Sequence, residues 1–188
     1  MEAPRFAETR FAETRFEQPR FETRFEAVRF DVARVDDGDG ARLVAALLAD
    51  LMERYGAEDI DEPTPTDLAP PGGAFLIARR GEDAIGCGGV RRYSEGIGEL
   101  KRMYVVPSAR RSGVARDLLE HLEATARKLG YSRIRLETGT RQPEAIALYR
   151  SAGYSPIYRY GHYRNSPLSR CFEKTLECEN PPGQGTSV

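Results

Sequence analysis

Residues 107–123 read PSARRSGVARDLLEHLE, and the fold turns on what this stretch does. It leaves the strand-like stretch ELKRMYVV (residues 99–106), passes Arg110 and Arg111, and reaches Ser112-Gly113 as a helical pattern starts. Val114, Leu118, Leu122, Ala126 and Leu129 share one helical face, and Gly130 follows as a stop. A loop that enters a helix in this way turns several unpaired backbone N–H groups toward one spot. The helix dipole adds partial positive charge there. Gly113 lets a ligand approach the backbone, and Arg110, Arg111 and Arg116 can add full charges. The stretch reads either as an anion cradle or as a plain capped loop. It is neither the Gly-Lys-Ser/Thr loop of ATP-binding proteins nor G-x-G-x-x-G.

Working outward from the loop, alternation and spacing give an ordered series of elements. VRFDVARV places Val28, Phe30 and Val32 on one side of a strand. DDGDGARLVAALLADLMERYG predicts a helix capped by Asp39, with Leu43, Leu47 and Leu51 on one face and Gly56 as its stop. AEDIDEPTPTDLAPPGG is rich in proline and acid and reads as a loop or short helical turn. Residues 74–79 and 84–91 form a hairpin around RGED, and residues 99–106 a third strand. After the helix over Val114–Leu129, SRIRLET is a strand and QPEAIALYRSAG a short helix with Pro143 near its start. YSPIYRY and SRCFEKTL close the domain as strands. The order β-α-(α)-β-β-β-α-β-α-β-β predicts an α/β fold: a mixed sheet with helices on both faces.

Both ends stand apart from this domain, which spans residues 27–177. In residues 1–26, Phe6, Phe11, Phe16 and Phe21 recur every five residues, each preceded by arginine. A period of five matches neither helix nor strand, so this low-complexity repeat builds no continuous apolar face. It reads as a disordered extension or as a partner-binding arm. Residues 178–188 read as a loose tail.

Composition narrows the class. With 40% hydrophobic and 30% charged residues, the 188-residue chain has the balance of a water-soluble globular protein. A formal net charge of −1 gives no electrostatic case for nucleic acid or an anionic membrane as partner. Cys87, Cys171 and Cys178 lack metal-site spacing, and an odd count fits the reducing cytoplasm.

RRSGVA resembles the Arg/Gln-x-x-Gly-x-Gly/Ala signature of the GNAT N-acetyltransferases, carried here by Arg110, Gly113 and Ala115. ELKRMYVVP resembles the strand that precedes that loop in the family. LETGTRQPEAIALYRSAGY resembles its second CoA-binding stretch, so the likeness extends roughly over residues 28–176. The resemblance implies a GNAT-like acyl-CoA N-acyltransferase fold with acetyl-CoA as co-substrate and no metal. It implies direct attack by a primary amine in a ternary complex, with a small-molecule acceptor preferred over a protein amine. A non-catalytic acyl-CoA sensor and a homodimer are both left open.

Site residues follow from the same likeness. Met103, Tyr104 and Val105 offer backbone groups to pantetheine and to the acetyl carbonyl, while Arg110, Arg111, Ser112, Gly113, Val114, Ala115 and Arg116 surround the pyrophosphate. Gln142 stands where many relatives carry asparagine, and Tyr149 where they carry the tyrosine that protonates the departing thiolate. Glu99, fourteen positions before Gly113, holds the offset of the catalytic glutamate in histone-type relatives. It reads equally as a strand-edge carboxylate paired with Arg91 or Arg92. Glu137 reads as a packing or pairing residue, and His162 as an acceptor-side or surface histidine.

Overall fold

Seven strands, three α-helices and two short 3-10 helices (Pro65–Leu68 and Pro107–Ala109) form over residues 26–56 and 65–177, the residues that the structure, a computed structural model, describes. The phenylalanine repeat, most of the acidic loop before Asp67 and the tail from Cys178 lie outside them. The strands are β1 (Val28–Ala33), β2 (Ala74–Arg80), β3 (Asp83–Ser94), β4 (Ile97–Val105), β5 (Arg133–Gly139), β6 (Ser155–Ile157) and β7 (Ser169–Thr175). The helices are α1 (Gly38–Tyr55), α2 (Val114–Lys128) and α3 (Pro143–Ser151).

The strands make one seven-stranded sheet in the order β1-β2-β3-β4-β5-β7-β6. Only β4 and β5 run parallel, because α2 carries the chain back between them; their neighbours pair antiparallel. On one face Leu43 and Leu47 of α1 pack against Phe75, Ile77, Cys87 and Tyr104. On the other, Leu118, Leu119 and Leu122 of α2 and Tyr149 of α3 cover Leu76, Val90, Leu100, Ile134, Leu136 and Phe172. Leu122 is fully buried, so its truncation to alanine costs about 2–5 kcal/mol in lost transfer energy and cavity.

Three local expectations are corrected. Asp39 does not cap α1: the helix starts one residue earlier, and Asp39 reaches instead to Arg42 at 2.8 Å and to Arg79 of β2 at 2.7 Å. Two arginines hold the carboxyl below its usual range. Val32 is 73% exposed rather than half-buried, since the core beneath β1 is reached by Val28 and Phe30. YSPIYRY is a strand only over Ser155–Ile157, after which Tyr158 stands out at 98% exposure.

Candidate active site

The sheet opens at the one place where parallel strands meet. β4 and β5 stay paired over Ile97–Leu100 and Arg133–Leu136. Beyond that rung the strands part, and a cavity of about 400 Å³ lies between them. A bulge bends β4 there: Cys87 faces Tyr104 and Gly89 faces Lys101, so Arg102 and Met103 together oppose Gly88. Arg102 carries the strain, with φ at 59°, and its carbonyl accepts from the Cys87 thiol at 3.4 Å. The bulge turns the backbone around Met103 toward the gap.

Just past β4 lies the arginine loop. Arg111 and Gly113 both adopt left-handed backbone, at φ 62° and 90°, and Gly113 is the N-cap of α2. No side chain caps that helix end, so its first N–H groups are turned outward as a nest beside a positive dipole end. Ser112 fastens the turn by donating to the Ala109 carbonyl at 2.8 Å. Arg116 reaches across to the Ser151 hydroxyl of α3 at 2.7 Å, while Val114 packs its side chain inward at 1% exposure. Arg110 differs from Arg111. Its guanidinium turns inward, donating to the Val105 carbonyl at 3.0 Å and pairing with Asp50 at 3.0 Å.

Across the gap, α3 presents Tyr149 and Gln142 to the cavity. The Tyr149 hydroxyl donates to the Met103 sulfur at 3.7 Å, and the ring packs edge-on against Tyr154. Burial pushes this phenol up to about 12, so it holds its proton throughout the neutral range. Gln142 opens α3, and its side-chain oxygen accepts from Thr138 at 3.3 Å.

The two glutamates are placed in opposite ways. Glu99 is 2% exposed and its carboxylate is occupied: Arg91 Nε donates at 2.7 Å, the Tyr160 hydroxyl at 3.2 Å, and Lys101 Nζ lies 3.5 Å away. It is not among the residues that line the cavity. Burial and the nearby Glu99 carboxylate raise the Tyr160 phenol far above its ordinary value, so that bond keeps its donor. Glu137, one rung past the parting of β4 and β5, lines the cavity and accepts from the Ser169 hydroxyl.

α1 closes the open side. Arg54 pairs with Asp50 at 2.8 Å and with Glu144 of α3 at 2.7 Å, and it donates to the Arg141 carbonyl at 2.9 Å. The Tyr55 hydroxyl accepts from the Arg141 N–H at 3.0 Å and sits directly over Gly139, where any Cβ would overlap it. Asp50 thus joins the loop after β4 to the loop after β5.

A parallel pair that splays over a cavity, a bulged strand on one side and a left-handed arginine loop at a helix start together match a known pattern. Residues 40–154 match the acetyltransferase (GNAT) family. The chain belongs to that family. Among curated relatives of this GNAT chain, the IAA acetyltransferase of Azospirillum brasilense is 41% identical over 136 residues, 72% of this chain and 89% of that protein. An N-acetyltransferase of Bacillus subtilis (strain 168), YsnE, is 34% identical over 58% of this chain and 74% of its own length. A Klebsiella pneumoniae structure described as an acyl-CoA N-acyltransferase superposes with a TM-score of 0.68 at 34% identity, covering 80% of this chain and 98% of that one. A GNAT acetyltransferase from Elizabethkingia anophelis with acetyl-CoA bound shares the fold at a TM-score of 0.60 and 15% identity, covering 79% and 98% of the two chains.

Of the residues expected at the site, Met103, Gln142 and Tyr149 line the cavity of this GNAT enzyme, whereas Glu99, Tyr104, Val105 and residues 110–116 are not among its lining residues. His162 packs against Tyr163 in the loop before β7, outside the lining. Asp50 escaped sequence reasoning as a site residue because its partner Arg110 lies 60 positions away. For Glu137, the position is set by register: it directly follows Leu136, the last residue of β5 that pairs with β4.

Proposed function

We propose that this N-acetyltransferase moves the acetyl group of acetyl-CoA to a primary amine, of a small molecule, by direct attack in a ternary complex. The observation that carries the reading is the pairing of a proton-holding Tyr149 with a bulged β4 across one cavity. The nest at Arg111–Gly113 and the side chain of Arg116 suit a pyrophosphate. In this reading pantetheine runs along Met103, Tyr104 and Val105, and Gln142 lies beside it.

The amine first loses a proton, for which Glu137 is the carboxylate in the cavity wall. The freed nitrogen attacks the thioester carbonyl, and backbone N–H groups at the bulge receive the developing oxyanion. The C–S bond then breaks and Tyr149 gives its proton to the leaving thiolate. Nitrogen sheds two protons overall: one ends on the CoA thiol, the other in solvent. Glu99 has a different task in this scheme, anchoring Tyr160 and the loop before β7. The free, buried Cys87 and Cys171 thiols fit a reducing compartment, so the cytoplasm is the proposed location.

The test is acetyl-CoA turnover followed by thiol release across a panel of amines, with acetyl-CoA binding measured by calorimetry. Amine-dependent release supports the reading. Binding without release, whatever amine is added, would overturn it.

A further inference from the structure

Many guanidiniums of this fold meet a carboxylate: those of Arg42, Arg54, Arg79, Arg91, Arg133 and Arg135 all do. At the β6 edge of the sheet the pattern changes. A hollow of about 450 Å³ there is lined by three arginines, Arg150 of α3, Arg159 after β6 and Arg170 of β7, and by no acidic residue. None of the three pairs with a carboxylate among the described residues.

Register explains why they meet. Ile157 pairs with Cys171, so the chain leaving β6 runs past the start of β7 and brings Arg159 to the end where Arg170 stands. Arg150 joins them from the last turn of α3. Two of the guanidiniums are held in place without being neutralised. Arg159 donates through Nη1 to the Ser166 carbonyl. Arg170 donates through Nη1 to the carbonyls of Pro167 at 2.9 Å and Ser169 at 2.7 Å. A guanidinium carries five N–H donors, so each keeps Nε and Nη2 for a ligand. Arg150 is exposed and bonds to no protein group among the described residues.

Between the arginines the walls are apolar: Pro156, Ile157, Pro167 and the buried Phe172. Low-dielectric walls beneath charge of one sign concentrate the field in the hollow. With a chain net charge of −1, this excess of positive charge is a local feature.

We propose that the hollow binds a phosphate monoester, as an anion site separate from the nest at Arg111–Gly113, with which it shares no residue. A phosphate monoester carries about −1.5 to −2 charges at pH 7 and three acceptor oxygens. Guanidinium forks take such oxygens two at a time, whereas a carboxylate offers one charge and two oxygens to three arginines. The apolar walls suit the carbon skeleton of the ester. The site does not depend on the acetyl-transfer reading above.

The test is calorimetry at constant ionic strength, with phenyl phosphate and benzoate as a matched pair. The expected result is saturable binding of phenyl phosphate, at least about tenfold tighter than benzoate. In Arg150→Gln, which removes a side chain without a protein partner, the phosphate affinity falls at least about fivefold. Arg159→Gln, with its fold checked by a melting curve, does the same. Gly113→Asp, aimed at the nest, changes the affinity less than about twofold. Absence of saturable binding overturns the proposal, as does equal affinity for benzoate or an affinity unchanged in either arginine variant. Weakening in Gly113→Asp while the arginine variants bind normally would put the phosphate at the nest and overturn it as well.

Discussion

Asp50 of α1 lies 3.0 Å from Arg110, the arginine of the loop that opens α2. Through Arg54 the same carboxylate reaches Glu144 and Arg141 on the far side of the cleft. The helix therefore ties both proposed CoA-contacting loops at their proper separation. Asp50→Asn keeps the shape but weakens two ion pairs, so KM for acetyl-CoA should rise about 5–10-fold while kcat stays within about twofold. Burial alone would raise the Asp50 carboxyl, but Arg110 and Arg54 outweigh it and hold it below its ordinary value of 3.8. A depressed carboxyl stabilises the fold above that value and loses the contribution as pH falls further. Melting curves below pH 4 should accordingly drop more steeply for the wild type than for Asp50→Asn.

Gly113 has room for a Cβ, whose nearest neighbour would be Asp117 at 4.0 Å, but its φ of 90° strains any L side chain. Gly113→Ala tests that strain alone, about 1–2 kcal/mol. Gly113→Asp adds a carboxylate beside the nest and near Asp117. Calorimetry should show acetyl-CoA affinity at least about tenfold weaker in Gly113→Asp than in Gly113→Ala. Equal affinities would mean that no anion sits there.

The two glutamates separate fold from chemistry. Glu99→Gln removes the charge that Arg91 and Lys101 share with a buried group, so the melting temperature should fall by about 3–8 °C while kcat changes less than about threefold. Glu137→Gln should do the reverse, sparing stability and slowing turnover by about 10²-fold at neutral pH. If Glu99→Gln instead loses the turnover and keeps its stability, Glu99 is the base.

These glutamates also show what the linear sequence carries. The leucine spacing of α2, the glycine at its start and the turn residues between β2 and β3 are local signals, and these elements form where the signals lie. Tyr149, Gln142 and Met103 reach the same cavity because short loops set α3 and β4 beside it. For Glu99 the offset from Gly113 carries a position along the chain, but not the partners that its carboxylate meets in the fold, Arg91, Lys101 and Tyr160. The closing of α1 over Gly139 depends on a bare backbone beneath Tyr55. Such a contact, between residues far apart in sequence, leaves no periodicity to read.

Tyr149 offers the sharpest test. Its ring is 7% exposed and packs against Tyr154 and Phe172, while its hydroxyl alone points to Met103 and the cavity. Tyr149→Phe therefore keeps the packing and removes only the donor. If the hydroxyl protonates the leaving thiolate, kcat should fall about 10–10³-fold with acetyl-CoA affinity little changed, the mark of a group acting mainly in the transition state. A purely packing role predicts normal turnover. The pH dependence gives a second reading. Burial raises the phenol from 10.0 to about 12, so the folded protein binds this proton more tightly than the unfolded chain. Stability from this group is complete below pH 10 and is lost as pH climbs toward 12. The wild-type rate should rise with pH as the amine deprotonates and should not bend down below about pH 10. An alkaline limb near pH 8 that vanishes in Tyr149→Phe would show a phenol far more acidic than its burial requires.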